Sequence, residues 1–457
     1  MNSIKPIVLS KVVEKDLCIG CGACVQACPS KALGVDWNSY GFLVATSNEN
    51  QCDQDGACIQ VCPFNPEPGN GYKNEDSLAV EFLAETPNHH SKIGRYYAIY
   101  AGYSNKHRAT SSSGGIATFV FEKLFDRGLI DYVVTVGDSD NDTSHYQYKI
   151  ISKKDDLLKT SKTRYHPVTL ASALDAIKSM DGRVAISGVG CFIKAIRLAQ
   201  EKDPALKEKI VFLVGIICGG VKSRFFTEYL AAKTGAAPDD FSNPEYRVKD
   251  PNSTAHDYGF SCTDNATKVT NIIKMREVGD MWGSGLFKAN SCDYCDDVTT
   301  ELADISLGDA WLQPYDQDGW GHNVIVSRSD IAEEILRLGS ATGEIQLENL
   351  SLEKLLTSQQ GSFNHRHDGL SIRIALAEKA GSKVPPKRPR SVILPLHLKL
   401  VQLARRNARL KSLQVWASTK NKVDFDKQMK PVLMTLNVLT KVSHTLKKVK
   451  KLSGIKP

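Results

Sequence analysis

The chain has 457 residues, of which 42% are hydrophobic and 24% charged, as in a globular protein of two or three domains. No apolar run reaches the roughly 18 residues needed to span a bilayer, and the first residues lack the apolar core of a signal peptide, so we expect a cytoplasmic protein. In a reducing compartment the twelve Cys are expected to bind metal or to catalyse instead of forming disulfides. Residues 381–457 carry 19 Lys and Arg against two acids, whereas the remainder is mildly acidic.

Two cysteine runs dominate the first seventy residues. The first reads Cys18-x2-Cys21-x2-Cys24-x3-Cys28-Pro29, which is the pattern of a bacterial 4Fe–4S ferredoxin. Three thiolates on a tight loop cover three corners of a cubane, and the fourth, followed by Pro, serves the other cluster. Structural zinc is the alternative, but zinc sites usually use two separate CxxC pairs.

The second run reads Cys52-x2-Asp55-x2-Cys58-x3-Cys62-Pro63, with Asp55 where the first run has its second Cys. Aspartate is a harder and weaker ligand than thiolate for such iron. Three interpretations remain open: a cubane with an Asp ligand, a three-iron cluster, or a degenerate site. The intact spacing disfavours degeneration.

The crossover of the fourth Cys assigns these ligands to two clusters. Cluster I takes Cys18, Cys21, Cys24 and Cys62. Cluster II takes Cys28, Cys52, Asp55 and Cys58. The stretch KALGVDWNSYGFLVAT between the runs predicts a hairpin, and residues 64–91 predict a linker with one short helix. We therefore expect a two-cluster ferredoxin-type domain with its linker over residues 1–90.

An α/β pattern follows. A strand is predicted over Tyr96–Tyr103, then a helix whose entrance is rich in Ser and Gly, then a buried strand over 129–136. The entrance consists of Ser111, Ser112, Ser113, Gly114 and Gly115. Free N–H groups and hydroxyls at the positive end of a helix dipole suit a phosphate, although any N-capped helix begins in this way.

Cysteines also follow two predicted strands of this body. RVAIS (183–187) leads to Cys191, and KIVFLVGII (209–217) leads to Cys218, both at the rim where open α/β sheets bind ligands. Cys292-x2-Cys295 supplies two more thiolates, which makes four, the number for another 4Fe–4S cluster. Cys262 is left over and is expected to be a bystander. A further strand over 304–309 predicts that Asp309 lies near the same rim.

Five blocks of this body resemble the coenzyme F420-reducing hydrogenase/dehydrogenase beta-subunit family. They are SSSGGIATFVFEKLFDRGLIDYVV, KTSKTRYHPV, ISGVGCFIKAIR, LVGIICGGVKS and CDYCDDVTTELADISLGDAWL, and they span about residues 95–312 in the family's order. A ferredoxin head is a common fusion in this family. Its members are flavoproteins that pass electrons between a 4Fe–4S cluster, FAD and a second redox partner.

The resemblance implies where the cofactors bind. FAD is expected near Ser111–Gly115 and near Lys162, Arg164 and Tyr165, and the inner cluster on Cys191, Cys218, Cys292 and Cys295. The family often has Pro before the position of Cys191 and His after that of Cys218, where this chain has Gly190 and Gly219. Whether the chain uses coenzyme F420 itself is left open by these residues.

The expected function is that of an iron–sulfur flavoprotein oxidoreductase. Iron–sulfur centres carry single electrons, whereas a flavin accepts one or two and can deliver a hydride. The ferredoxin head would take in electrons, the inner cluster would relay them, and FAD would reduce an unidentified two-electron acceptor or substrate. Many bacterial relatives with such a head lie among polysaccharide-synthesis genes, which suggests a role there. The alternatives are a non-catalytic electron-transfer subunit and a structural iron–sulfur protein of a polysaccharide pathway.

The rest of the chain is polar and then basic. His365, Arg366, His367 and Asp368 predict a polar surface, with substrate ligands as the alternative.

KVPPKRPR (383–390) predicts an extended basic linker. Two amphipathic helices follow. The first places Leu396, Leu400, Leu403, Leu410 and Leu413 on its apolar side and Arg405, Arg406, Arg409 and Lys411 on its polar side. The second has its apolar side at Val432, Leu436, Leu439, Val442, Leu446 and Val449.

Basic amphipathic helices favour anionic membrane surfaces, which would place the protein at the inner face of the membrane. A helical pair packed on the body or on a redox partner protein is the alternative, and nucleic acid is disfavoured because no aromatic or recognition motif accompanies the charge. In sum, we expect an α+β ferredoxin-like 4Fe–4S head, an α/β flavin-binding domain over residues 91–380, and a helical basic tail over residues 381–457.

Overall fold

The structure is a computed structural model that describes residues 5–48, 52–69, 72–140, 144–388 and 395–452, the side chains of 447, 448 and 450–452 excepted. These residues form a small head, a central eight-stranded sheet flanked by helices, a separate three-stranded sheet and a long helical hairpin. Over the described ranges, no helix combines the length and the apolar content that crossing a bilayer requires.

The head contains two short helices and a hairpin. Its elements are a π-helical turn at Leu9–Val13, α1 at Ala23–Gln26, β1 at Leu33–Trp37, β2 at Leu43–Ser47, α2 at Ala57–Gln60 and α3 at Glu75–Phe82. β1 and β2 pair antiparallel, which confirms the predicted hairpin. Gly22 and Gly56 precede α1 and α2 with φ of 80° and 76°, a left-handed conformation that Gly adopts without strain. The two cysteine runs therefore share one turn-to-helix geometry.

The predicted short helix of the linker is α3. The side chain of Asn74 caps it by accepting a hydrogen bond from the N–H of Ser77. Leu78 is fully buried, and Glu75 forms a buried ion pair with Lys194 of the body at 2.9 Å. The linker is therefore packed against the body.

The central sheet mixes parallel and antiparallel strands. Two small strands, β3 at Asn88–His90 and β4 at Gly94–Tyr96, pair outside it. The sheet strands are β5 at Ala98–Ser104, β6 at Tyr132–Asp138, β7 at Tyr146–Ile151, β8 at Val184–Val189, β9 at Ile210–Ile216, β13 at Ile305–Asp309, β14 at Asn323–Ser327 and β15 at Ile345–Asn349. Their order is β15-β5-β14-β13-β9-β8-β6-β7. The neighbours β6, β8, β9 and β13 are parallel, so their carboxyl ends share one edge, as predicted.

Helices cover the sheet, and a second sheet lies beside it. The three-stranded sheet consists of β10 at Phe241–Val248, β11 at Gly259–Asp264 and β12 at Thr270–Lys274. The helices are α4 at Ile116–Asp126, α5 at Ala171–Ser179, α6 at Gly190–Lys202, α7 at Pro204–Lys209, α8 at Arg224–Thr234, α9 at Met275–Val278, α10 at Asp330–Ala341, α11 at Leu352–Ser358, α12 at Gln360–Phe363 and α13 at Leu370–Lys379. Shorter turns lie at Lys154–Thr160, Asn290–Tyr294, Tyr315–Gln317 and Asn364–Asp368.

The head and the body share one hydrophobic cluster. Leu17 of the head and Ile193 of α6 belong to it, on opposite sides of the predicted boundary at residue 90. The N–H of Leu170 donates to the carbonyl of Cys21 at 2.9 Å. A Cβ on Gly22 would stand 2.3 Å from the hydroxyl of Thr169, so the first cysteine loop approaches the body as closely as only Gly allows. The domain boundaries themselves stay predictions.

The tail is a helical hairpin packed on the body. It consists of α14 at Leu396–Thr419 and α15 at Lys422–Leu452. Trp416 is fully buried against the rings of Tyr229, Phe287 and Phe425, and its indole N–H donates to Glu228 at 2.8 Å. This is the packed helical pair that the sequence left as an alternative.

The predicted orientation of α14 is wrong. Arg409, assigned to the polar side, is only 2% exposed, because it donates to Asp293 at 3.1 Å and to Asn290 at 2.7 Å. Of the predicted apolar side, only Leu413 is buried. The exposed members are Leu396, Leu400, Leu403 and Leu410. The second predicted stripe is also divided, since Leu436 is buried and Val442 is exposed. The inward side of α14 is set by ion pairs with buried acids of the body. The periodicity of α14 alone contains no information about these acids.

The segment 383–388 is not a free linker, which corrects the prediction for 383–390. Lys387 is mostly buried and pairs with Asp296 at 3.1 Å. Arg388 forms a bidentate ion pair with Glu301, both contacts being 2.8 Å. Two predicted linker residues, 389 and 390, lie outside the described part of the chain.

Because Trp416 fills a closed aromatic site, W416A should lower the free energy of unfolding by about 3–5 kcal/mol, the cost of an unfilled core cavity. Urea unfolding followed by circular dichroism measures the change. The exposed neighbour Gln414 offers a control, since Q414A should stay within about 0.5 kcal/mol of the parent. Equal stability of the two variants would contradict the packed tail.

Candidate iron–sulfur and flavin site

The four ligands assigned to cluster I converge in the head. Burial raises the pKa of the Cys24 thiol most, and the negative charges of Cys21, Cys18, Cys62 and Cys58 raise it further, so all four of these sulfurs lie in its surroundings. The pKa of Cys62 rises for the same reasons. The N–H of Gly20 donates to the sulfur of Cys18 at 3.4 Å, a bond that favours the thiolate. The fold thus brings Cys62 near the cysteines of the first run, as the predicted crossover requires.

The cluster II ligands also meet, and Asp55 is among them. Burial raises the pKa of Cys58, followed among side chains by the charges of Cys28, Asp55 and Cys52. One carboxylate oxygen of Asp55 accepts the N–H of Ala57 at 3.1 Å, and the residue is exposed. A carboxylate has lone pairs beyond one hydrogen bond, so Asp55 is oriented and still able to bind iron.

The inner-cluster ligands come together at the rim of the central sheet. Burial raises the pKa of Cys191, followed by the charges of Cys295, Cys292 and Cys218. The N–H of Gly220 donates to the sulfur of Cys218, and that of Val221 to the sulfur of Cys292, each at 3.2 Å. Cys262 lies on β11, where its sulfur contacts the hydroxyl of Thr234 at 3.3 Å.

The two departures from the family pattern have a local cause. A Cβ on Gly219 would stand 2.9 Å from the ring of Trp282, which occupies the space beside this position. A Cβ on Gly190 would stand 2.6 Å from a carboxylate oxygen of Asp297. A larger residue therefore does not fit at either place, while Cys218 still joins the other ligands.

Arg366 was predicted to lie on a polar surface, and the structure corrects this prediction. It is 5% exposed, not on a polar surface, and it donates to the carbonyls of Cys218 and Asp297. The charges of Cys295, Cys218 and Cys292 raise its pKa against the effect of burial. Its cation therefore offsets the negative charge of the inner-cluster ligands. No spacing or composition signal in SFNHRHDGL reveals this contact.

All three ligand groups fit 4Fe–4S clusters in number and chemistry. Among the described residues, no group of three or more His, Cys, Asp or Glu side chains is arranged to hold a single metal ion. The ligands of a cubane stand farther apart than those of one ion, because iron and sulfide atoms fill the space between them.

A cavity of about 860 Å³ opens at the same rim. Eight of the nine predicted flavin contacts line it: Ser111, Ser112, Ser113, Gly115, Lys162, Arg164, Tyr165 and Asp309. Gly114 lies behind them, where a Cβ would stand 2.6 Å from the carbonyl of Gly102. Gly115 has a φ of 81°, and its Cβ would stand 2.7 Å from the backbone of His107. The two glycines thus let the serine loop pack closely on the sheet.

One end of the cavity carries a buried hydroxyl and basic side chains, of which Lys162 pairs with Glu245 at 2.7 Å and Arg247 with Asp309 at 2.9 Å. Lys162 and Arg247 line it, and Lys249 lies just behind. Burial lowers the pKa of Lys249 to about 7, and the positive charges of Arg108, Lys162 and Arg247 contribute. The hydroxyl of Ser111 is buried and has no hydrogen-bond partner among the described residues. Clustered cations and a spare hydroxyl suit a diphosphate, so FAD fits this end.

The other contacts bring the cavity close to the clusters. Cys218 of the inner cluster lines its wall, and so does Ile19, the neighbour of Cys18. Tyr148 also lines it, and the charges of Cys191 and Cys21 raise its pKa beyond the effect of burial. The cavity therefore borders residues at both of these predicted cluster sites.

Family models match most of these elements. The model for the N-terminal part of the coenzyme F420 hydrogenase/dehydrogenase beta subunit matches residues 99–175, and that for its C terminus matches 181–353. A 4Fe–4S dicluster domain matches residues 17–65. The chain belongs to the coenzyme F420 hydrogenase/dehydrogenase beta-subunit family. Its head is a 4Fe–4S dicluster domain, as the sequence predicts.

Relatives of this beta-subunit family include named redox proteins. The chain is 24% identical to one subunit of the F(420)H(2) dehydrogenase of Methanosarcina mazei over 344 residues, 72% of this chain and 84% of that protein. It is 23% identical to coenzyme F420-dependent sulfite reductase of Methanocaldococcus jannaschii over 76% of this chain and 49% of that protein. A chain of the F420-reducing [NiFe] hydrogenase complex of Methanosarcina barkeri shares the fold, with a TM-score of 0.50, 18% identity, and coverage of 66% of this chain and 99% of that one.

Cys292→Ala tests the inner cluster against a matched cysteine. The parent prepared without oxygen should contain about twelve iron atoms per chain, the content of three cubanes. Cys292→Ala should contain about eight, because one cluster loses a ligand. Cys262→Ala should keep the parental iron content. Equal iron in the two variants would contradict the assignment.

Proposed function

We propose that the chain is an electron-transfer protein that binds FAD in the cavity and exchanges electrons between FAD and three 4Fe–4S clusters. The observation that carries the proposal is the shared wall: Cys218 and the Ser111–Gly115 loop line one cavity. Iron–sulfur ligands and a diphosphate-binding end at one cavity are what flavin reduction by single electrons needs. FAD, when bound, converts one-electron supply into two-electron or hydride chemistry.

The residues of the cavity would bind and orient the flavin. Lys162, Arg247 and the hydroxyl of Ser111 would hold the diphosphate, and the helix α4 turns its N-terminus to the same end. Tyr165 and Trp282, with ring centroids 4.7 Å apart, would form an apolar wall for the flavin ring. Such a wall excludes water from the site of electron exchange.

The exposure of Asp55 supports cluster II as the outer end of the path. Asp55 of cluster II is at the surface, whereas the inner-cluster ligands lie at the sheet rim beneath the cavity. A redox partner protein would therefore exchange electrons at cluster II, and cluster I would connect it to the inner cluster and FAD. Ile19, the neighbour of Cys18, and Tyr148 line the cavity, which supports a second branch from cluster I to the flavin where the sequence alone suggested one.

Relatives favour a protein partner. The similar proteins are one subunit of a dehydrogenase and a chain of a hydrogenase complex, so this chain would act with a second protein. A subunit without its own organic substrate is the second candidate, favoured by those same relatives. The use of coenzyme F420, the part in polysaccharide biosynthesis and a peripheral position at the inner face of the membrane stay predictions.

S111A should weaken FAD binding without destabilising the fold. The hydroxyl has no hydrogen-bond partner in the part of the chain that the structure describes, so its removal costs no hydrogen bond there. A hydrogen bond to a charged group contributes about 1.5–3 kcal/mol, which predicts a Kd about 10- to 100-fold higher. Isothermal titration calorimetry with FAD measures the Kd of the parent and of S111A.

Ser112 offers the comparison for this experiment. Its hydroxyl accepts the N–H of Thr163 at 2.9 Å, so S112A should lower the unfolding temperature, whereas S111A should not. FAD affinity that is the same in S111A and the parent would count against the diphosphate site.

D55C tests the cluster II ligand. Aspartate binds this iron more weakly than thiolate, so the parent should lose one iron during brief oxidation and show the electron paramagnetic resonance signal of a three-iron cluster. D55C should keep four irons under the same treatment, and D55A should contain the three-iron form from the start. Identical spectra for the parent and D55A would mean that Asp55 is not a ligand.

A further inference from the structure

The outer side of the tail hairpin carries apolar stripes that the body does not cover. On α15 the stripe consists of Met434, Val438, Val442 and Leu446, each between 41% and 58% exposed. On α14 it consists of Leu396, Leu400, Leu403 and Leu410, between 38% and 70% exposed. We call these eight side chains the outer face. Exposed apolar patches of this size mark interaction sites.

The outer face is separate from the packing of the hairpin. At 3.6 residues per turn, Met434 and Val438 lie about 140–180° around α15 from the buried Met429, which belongs to a hydrophobic cluster of the body. On α14 the exposed leucines lie about 120–160° away from Trp416, which packs on the body. Both stripes therefore turn away from the body, and neither contributes to its core.

Beyond Asp424 and Asp426 in its first turns, α15 carries only positive charge beside the stripe. Lys427, Lys430 and Lys441 are exposed on α15, within about a quarter turn of the apolar stripe. From residue 427 to residue 457 the sequence has eight Lys and no Asp or Glu. The partner of this face is therefore anionic, and a second copy of the chain would meet like charge.

We propose that the outer face binds an anionic lipid membrane by lying in its interface. Protein interfaces concentrate Tyr, Trp, Phe and Arg and are depleted of Lys. Residues 427–457 contain eight Lys and no Phe, Trp or Tyr, which is the opposite composition. Lys beside Leu, Val and Met on one helix face is the composition of interfacial helices. α15 has 31 residues, so the contact would be long and shallow. This proposal does not depend on FAD or on the direction of electron flow.

The test uses the full chain, iron-loaded and prepared without oxygen, in co-sedimentation with vesicles. One set of vesicles is phosphatidylcholine alone, and the other is equimolar phosphatidylcholine and phosphatidylglycerol. The chain should sediment with the anionic vesicles at low salt and much less at about 1 M salt, where the Debye length falls to about 3 Å.

Two triple variants distinguish binding through the outer face from non-specific binding by exposed apolar residues. M434S/V438S/V442S should lower the affinity for anionic vesicles about tenfold or more, because each serine removes apolar surface from the lipid contact. V80S/L158S/V269S changes three equally exposed apolar residues outside the tail and should bind as the parent does. Iron content and circular dichroism verify that both variants fold.

Three results would overturn the proposal. The parent could fail to sediment with anionic vesicles at low salt. The two triple variants could bind alike. Alternatively, sedimentation equilibrium without lipid could show self-association that M434S/V438S/V442S abolishes while no form binds vesicles, which would assign the outer face to a second copy.

Discussion

The structure depends on compensating the negative charge that is buried around the four cysteines predicted to hold the inner cluster. The segment from Cys292 to Glu301 places two thiolate ligands and several acids in the interior, where an unpaired charge costs several kcal/mol. Asp293 is paired with Lys288 at 2.7 Å and with Arg409 at 3.1 Å, and these cations with His365 hold its pKa well below the usual range against the effect of burial. Lys288 lies just before this segment, whereas Arg409 comes from α14, so the buried acid helps to hold the tail on the body.

The tail supplies much of this compensation. Arg409 reaches Asp293 from α14, and Lys387 and Arg388 reach Asp296 and Glu301 from the segment before it. The basic residues of the last 77 positions therefore fall into two groups. Some cations are neutralised inside the protein, and others, on α15, remain on the outer side. This division explains why one stretch of sequence resembles both a structural element and a binding surface.

Local sequence patterns were sufficient to predict the candidate cluster ligands. They were not sufficient to predict contacts between residues far apart in the sequence. The spacing of Cys18 to Cys28 and of Cys52 to Cys62 fixes which ligands share a loop, so the head was predictable from sequence. The Ser/Gly entrance after β5 and the cysteines after β8 and β9 were predictable because strand ends share one rim. Arg366 and the inward side of α14 were not, since their partners lie more than 60 residues away in sequence and leave no periodic signal. The position of Ile19 in the wall of the cavity was likewise not predictable from local sequence patterns.

The central claim is that the clusters and the cavity exchange electrons through a bound flavin. Rapid mixing of the FAD-loaded chain with reduced methyl viologen, followed by freezing at successive times, tests it most directly. Electron paramagnetic resonance reports the clusters, and absorbance reports the flavin. The account predicts that reduced cluster signals appear first and then decline as the bound flavin becomes reduced. A flavin that stays oxidised beside reduced clusters, or one that is reduced equally fast after the iron has been removed, would contradict it.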